Sequence, residues 1–546
     1  MQAVTSRQFS STGFGFHIAQ GCARHLSFST MANDANSADT STTDVYAVHG
    51  ADPEVLAYGM AKYSRSALSL RESLAELNEQ KAEKFLNTFY FQYGHRSIAD
   101  LAHLAFAIEK LSILAATVVV DEARWDGQER STRYQDFQKS GYYVPEFGED
   151  AASGIYRETI DFLFAEYRYF SEAMFGYLQE RTPKPEEMKQ DAYERTLKAR
   201  AFDLSRYLLP MATNTSLGQI VSARTLENQV SRLLSHPQAE VRKLGELLKK
   251  AARKSAYNVN QAAAERVLHE VEQRSAELAD DVRGVLLREV HAAPTLMKYA
   301  EPNSYEQESR RELTGAAAEL LGGLSISPAP LVDLLEDEPL EVELATTLLY
   351  QNSHHSYRQI RGVVEGMAPA QRAEVIDLGL RHRGRHDEVA RAYSSGQGLR
   401  FDILMDIGAF RDMHRHRRCV QILQDYTTLH GYDRPEEIDG ANLAPRYDAA
   451  MQRARETVEK LATRKVAEAG EQSQYVIPLA YRKRALFKMD FAEALYISEL
   501  RTGPAGHFSY RNVAYAMYEA VAARYPELAK YFRVTDVREP VDLLKR

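Results

Sequence analysis

Leu56, Met60, Tyr63, Ala67, Leu70, Leu74 and Leu77 recur at alternating spacings of four and three, which lays one apolar stripe along a helix and predicts a helix over 53–78. Asp52 is placed to cap it, and Pro53 takes the first helical position, where no N–H is needed. The same periodicity predicts long helices over 153–180, 185–206, 225–275 and 446–470. Shorter β-branched or aliphatic runs at 115–120, 401–407 and 475–478 read as strands. Residues 101–120 are long and apolar enough to span a bilayer. However, Glu109 and Lys110 near the middle would each cost up to about 3 kcal/mol there, and Asp121 and Glu122 follow at once. The run is therefore expected to be a buried core element. Turn signals at Glu301-Pro302-Asn303 and across 322–330 put a domain boundary close to 300.

The two halves carry matching landmarks. Tyr207-Leu208-Leu209-Pro210 answers to Tyr475-Val476-Ile477-Pro478. Phe106-Ala107-Ile108 precedes Ser131-Thr132-Arg133-Tyr134, as Phe401-Asp402-Ile403 precedes Arg415-His416-Arg417. A duplicated α/β (α+β) module is predicted, over 45–295 and 300–546, after an N-terminal segment (1–44) outside the fold. Residues 1–33 lack Asp, Glu and Lys, as organellar transit peptides often do, but show no continuous amphipathic pattern. An untranslated leader ending before Met31 is the simpler expectation, with a cytoplasmic protein.

Composition narrows the chemistry. The 546 residues are 44% hydrophobic and 26% charged, which excludes a disordered or fibrous chain. Lys and Arg total 68 against 76 Asp and Glu, so the net charge of −8 gives no global footprint for nucleic acid. Two cysteines, Cys22 and Cys419, exclude a disulfide scaffold and a four-thiolate zinc site. GxxxxGK[ST], GxGxxG after a strand, HExxH, GxSxG and CxxC are all absent. His382 and His386 share a helical spacing, but their arginine neighbours oppose a dication, so no metal is predicted.

Two polar segments remain. Arg411-Asp412-Met413-His414-Arg415-His416-Arg417-Arg418 is either an anion site at the edge of a core or a solvated basic patch. In Gln128-Glu129-Arg130-Ser131-Thr132-Arg133-Tyr134, Arg133 and the Ser131 hydroxyl suit a phosphate, while a loop closed by internal ion pairs is the alternative.

Together these segments resemble the flavin-dependent thymidylate synthases, which carry Arg-His-Arg, seven variable residues and Ser, usually with Arg and Tyr two and three places on. The chain looks like two such units fused, each keeping the half that the other has lost. Glu129, Ser131, Arg133 and Tyr134 match the end of the motif in the first unit, where Asp121, Glu122 and Ala123 replace Arg-His-Arg. Arg415, His416 and Arg417 match its beginning in the second, where Asp425 and Thr427 replace the later Ser and Arg.

The resemblance implies a site shared between the units, with Arg415, His416 and Arg417 on flavin and Glu129, Ser131, Arg133 and Arg206 on the dUMP phosphate side. It further implies flavin contacts from His95, Ser97, Asp100, Arg224 and Asn228, with His386 answering loosely to His95. Arg232 and Arg501 fall at the family's last arginine, which touches substrate and flavin, so that Arg415, Arg232 and Arg501 are its catalytic candidates. Each unit is implied to be a mixed sheet packed with long helices. The implied reaction methylates dUMP to dTMP with FAD, NADPH and methylenetetrahydrofolate, in a homodimer that mimics the family's tetramer and needs no membrane. A paralogue that binds nucleotide or flavin without catalysis is the alternative.

Overall fold

The computed structural model of the chain describes residues 48, 50–62, 70–75, 96–384, 387, 390–466 and 468–544. All that follows concerns the unit Ala51–Arg546. The expectations for residues 1–44, Cys22, His95 and His386 lie outside the described residues.

Each repeat is built on a small sheet. The first has β1 (His103–Ser112), β2 (Asp126–Glu129) and β3 (Asn214–Ser222) in the order β1-β3-β2. The second has β4 (Val332–Leu334), β5 (Leu399–Asp406), β6 (Val420–Leu423) and β7 (Arg482–Met489) in the order β4-β5-β7-β6. With the helices around them this is the α+β class, although the described pairings are antiparallel throughout rather than mixed. Along β3, buried Thr215, Leu217, Gln219 and Val221 alternate with more exposed neighbours, as one covered face requires. β7 is buried on both faces, with Ala485 and Phe487 in one apolar cluster and Leu486 in another.

The two long strands of each repeat run straight into helices, and in every case the last strand residue or the residue after it is the cap. Ser112 accepts from Ala115 N, Ser222 from Thr225 N, Asp406 from Ala409 N and Asp490 from Glu493 N. Here the 115–120 expectation is corrected. The run is the helix Ile113–Val119, because the Ser112 cap starts a helix that is buried almost all round, where apolar periodicity cannot tell it from a strand.

The 475–478 run is likewise corrected. It is a single 3₁₀ turn, Gln474–Val476, leading into an extended Ile477-Pro478. Its partner is its own counterpart. Met211 N donates to Ile477 O and Ala212 N to Tyr475 O, while Leu479 N donates to Leu209 O and Ala480 N to Tyr207 O, at 2.9–3.1 Å. The contact is reciprocal about the Pro210–Pro478 bridge, so the repeats meet as a pseudo-dimer within one chain. Farther out, Thr159 of Asp150–Arg181 meets Thr457 of Ala444–Ala462 at 2.9 Å, again helix to matching helix. Leu208, Leu209, Val476 and Ile477 are fully buried in the core that both repeats share.

Within the 53–78 expectation the described residues form the helices Pro53–Ala61 and Leu70–Ala75, residues 63–69 and 76–78 lying outside the described residues, and Asp52 makes no side-chain cap but pairs with Arg288 at 2.7 Å. The 225–275 pattern breaks into Ala223–Leu234, Ala239–Arg253 and Gln261–Glu272, with Pro237 in the first gap. Residues 101–120 divide between β1 and the helix after it, and no helix among the described residues is long and apolar enough to cross a membrane.

Candidate active site between the repeats

The helix Ile407–Met413 and the turn after it carry the basic segment of the second repeat. β2 and the loop behind it carry Glu129 to Arg133 of the first. They touch directly. Arg411 Nη2 donates to Glu129 Oε1 at 2.6 Å and Nη1 to Thr132 Oγ1 at 3.2 Å. One step along, Arg417 donates to Asp126 at 3.2 Å and lies over the Trp125 ring at 5.5 Å. Trp125 is itself fixed by a 2.8 Å bond from its indole N–H to Gln219.

Behind this seam lies a buried charge network. Arg133 presents a fork to Asp203, Nε to Oδ1 at 3.0 Å and Nη2 to Oδ2 at 3.2 Å, and its Nη1 donates to the Tyr510 hydroxyl at 3.0 Å. Arg206, 2% exposed, sits 3.4 Å from Asp203 and 3.9 Å from Asp412. Its Nη2, and the Nε of Arg411, are buried donors without a hydrogen-bond partner among the described residues, and the Arg206 Nε has only the 3.4 Å approach to Asp203. Gly408 makes room here, since a Cβ on it would stand 3.0 Å from Asp406 Oδ1 and 3.4 Å from Arg206 Nη2.

Burial raises the Asp203 carboxyl, yet the charges of His507, Arg206 and Arg133 outweigh it and hold the group down to about 2. Burial pushes His507 down to about 3, and its Nε2 stands 3.7 Å from Asp203. Asp406 accepts from Ala409 N and from the Ser509 hydroxyl, but burial together with Asp433 pushes its carboxyl up to about 7.

A third group joins from the helix Phe491–Thr502. Arg501 Nε donates to His416 Nε2 at 2.8 Å, and its guanidinium lies 5.5 Å over Tyr510, the ring that also receives Arg133. His416 Nδ1 faces Glu493 at 3.5 Å, and burial lowers its basicity so that the ring stays neutral. A neutral ring that accepts at Nε2 carries its proton on Nδ1, toward Glu493.

The structure thus brings Glu129, Ser131, Arg133, Arg206, His416, Arg417 and Arg501 into one linked cluster. Ser131 accepts from Arg133 N at 3.2 Å, which shapes the loop. Arg415 is exposed, and among the described residues no hydrogen bond or ion pair holds its side chain. Arg224 pairs with Asp100 at 3.2 Å in the first repeat, with exposed Ser97 on the same turn as Asp100, and Asn228 lies one helical turn beyond Arg224. Arg232 stands apart from the cluster. It is closed on Glu122 at 2.7 and 2.9 Å and on Val118 O, in the stretch where Asp121 is likewise paired with Arg391.

Asp203, His507 and Tyr510 were not singled out by the sequence reasoning. The one signal was Asp203 lying a helical turn before Arg206. Cys419 is small core filler, its thiol donating to His416 O at 2.8 Å and pushed up to about 12 by burial. His382 pairs with Glu312 at 3.1 Å, and among the described residues no group of three or more His, Cys, Asp or Glu could hold a metal ion.

Two like modules, one setting a cationic segment against a hydroxyl-bearing loop of the other, define a class of tandem α+β proteins. The model of the thymidylate synthase complementing protein family matches residues 47–256 and 330–527, and the chain belongs to that family. A UPF0159 protein of Chlamydia pneumoniae is 29% identical over 535 residues, covering 92% of this chain and 93% of that one. A flavin-dependent thymidylate synthase of Clostridium tetani is 26% identical over 211 residues, 38% of this chain and 81% of its own length. Thymidylate synthase X of Helicobacter pylori, crystallised with FAD and dUMP, aligns with 36% of this chain and 88% of its own at 15% identity and a TM-score of 0.26.

Proposed function

We propose that this chain is a flavin-dependent thymidylate synthase with one composite active site per chain, using FAD, with NADPH and methylenetetrahydrofolate as co-substrates. The observation that carries the reading is the direct seam between Arg411 and Glu129–Thr132 across the two repeats. The donor set fits polyanionic ligands: Arg206 Nη2 and Arg411 Nε are buried without a hydrogen-bond partner among the described residues, and Arg415 is exposed. FAD, when bound, supplies the ring that carries the hydride.

Around it the chain's own groups have separate tasks. Arg415, His416 and Arg417 hold flavin, while Ser131, Arg133 and Arg206 hold the nucleotide phosphate. Arg501, steered by His416, stabilises charge that builds on the uracil carbonyl oxygens. Losing one such preorganised contact costs about 3 kcal/mol, a hundredfold or more in rate. In the reciprocal place, Thr117 and Tyr426 stand where Arg411 and Thr132 do in the working site, and Asp121, Glu122 and Ala123 replace Arg415, His416 and Arg417. That place is inactive in this reading. The test is dUMP-dependent NADPH oxidation, which Arg415→Ala should abolish and Asp425→Ala should leave unchanged.

One observation favours a second reading, a nucleotide- or flavin-binding paralogue without catalysis. Asp203 fills the Arg133 fork that a phosphate would take. A yellow protein that oxidises no NADPH with dUMP would support it.

A further inference from the structure

Away from the seam, unsatisfied polar atoms converge on one spot in the second repeat. Arg484 on β7 is 1% exposed. It donates from Nη1 to Asp402 at 3.0 Å, while Tyr350 OH and Tyr357 N complete the Asp402 carboxylate at 2.7 and 2.8 Å. The other edge of the guanidinium, Nε and Nη2, is buried and has no hydrogen-bond partner among the described residues. That edge is the one that grips two oxygens at once. Around it His430 Nε2, His354 Nδ1, His355 Nδ1, Ser353 Oγ and Gln424 Oε1 are also buried without partners. His430 and His354 stand ring to ring at 6.3 Å, and Gln424 bridges the parts through 2.9 Å to His355 O and 3.4 Å to Arg484 O.

A buried donor left unmade is costly, so the open edge of Arg484, which can only donate, calls for an acceptor. The charges nearby sort themselves. Asp402 is already saturated, Asp433 holds Arg482, Asp425 is exposed, and Lys483 donates to Gln424 O from the opposite face of β7. Among the described residues no carboxylate takes the open Arg484 edge.

We infer that Arg484, His430, His354 and the 353–355 turn form a second anion site, built to take a phosphate group and separate from the composite site. Arg484 supplies the fork and the fixed charge. His354, His430 and the Ser353 hydroxyl supply donors from the sides, which suits a tetrahedral anion better than a planar one, while His355 already gives its Nε2 proton to Leu324 O at 3.1 Å. The half-buried His354 and His355 form the way in.

Equilibrium dialysis of the full chain with labelled inorganic phosphate tests this, comparing wild type with His430→Gln and Arg484→Gln. Each variant should bind one phosphate fewer per chain; His430→Gln keeps the Asp402 pair intact should Arg484→Gln fold poorly. Carbethoxylation of His354, His355 and His430, mapped by peptide mass, should slow about tenfold at ten times the Kd. Protection by dUMP at lower concentration than by inorganic phosphate would show that the phosphate arrives on a nucleotide, and the reverse order that it arrives as the free ion. Equal phosphate binding by wild type and His430→Gln, with unchanged histidine reactivity, would mean that water fills the gap and would overturn the inference.

Discussion

Arg133 and Asp203 set the terms at the scale of residues. Both are buried and bonded through a fork, so removing either strands a charge in the core. Arg133→Ala should cost about 3 kcal/mol in denaturant unfolding, far beyond an exposed ion pair. Titration gives a second handle. Native Asp406 keeps its proton up to about 7, whereas the unfolded carboxyl loses it near 4. The native state therefore binds more protons in that window, and this group's contribution to stability falls as pH rises from 4 to 7. Asp406→Asn, which keeps an acceptor for Ala409 N, should gain on wild type by up to about 1.4 kcal/mol per pH unit there, measured by urea unfolding at several pH values. His507 works in the other direction. Its folded value of about 3 leaves the unfolded state with the extra proton between 3 and 6.5, so its contribution is lost as pH falls through that range.

Among the elements, the strand-to-helix corners carry the fold, and their caps are unequal. Ser112 caps Ile113–Val119 and also donates to buried Glu240 at 2.6 Å, whereas the Ser222 cap is half-buried. Ser112→Ala should cost about 2 kcal/mol and Ser222→Ala about 1 in thermal unfolding. These corners also show what was legible in the sequence. Amphipathic helices such as Asp150–Arg181 could be read from periodicity because one face meets solvent. The run at 115–120 could not, because a short helix buried almost all round has no polar stripe and its serine cap is one hydroxyl among many. The 475–478 run misled for a different reason: its hydrogen bonds go to a segment 268 residues away, which no local pattern records. In the site, the motif residues Glu129, Ser131, Arg133 and Arg415–Arg417 could be picked out by spacing. Asp203, His507 and Tyr510 gain their importance only from the packing that surrounds Arg133.

For the whole molecule, the reciprocal pairing about Pro210 and Pro478 makes one chain the equivalent of a dimer, so two chains would reproduce a tetramer. Light scattering should accordingly give twice the chain mass. The two ends of the pseudo-dimer have diverged in charge. At one, Arg411 and Arg417 meet Glu129 and Asp126 of the 126–133 strip, and at the other Asp121 and Glu122 are neutralised by Arg391 and Arg232. At the first end exposed Arg415 has no hydrogen bond or ion pair to any other described residue, whereas the charges at the second end neutralise one another. The flavin released on denaturing a known amount of purified protein therefore tests the central claim most directly: one FAD per chain is predicted, and two, or none from protein saturated with FAD, would contradict it.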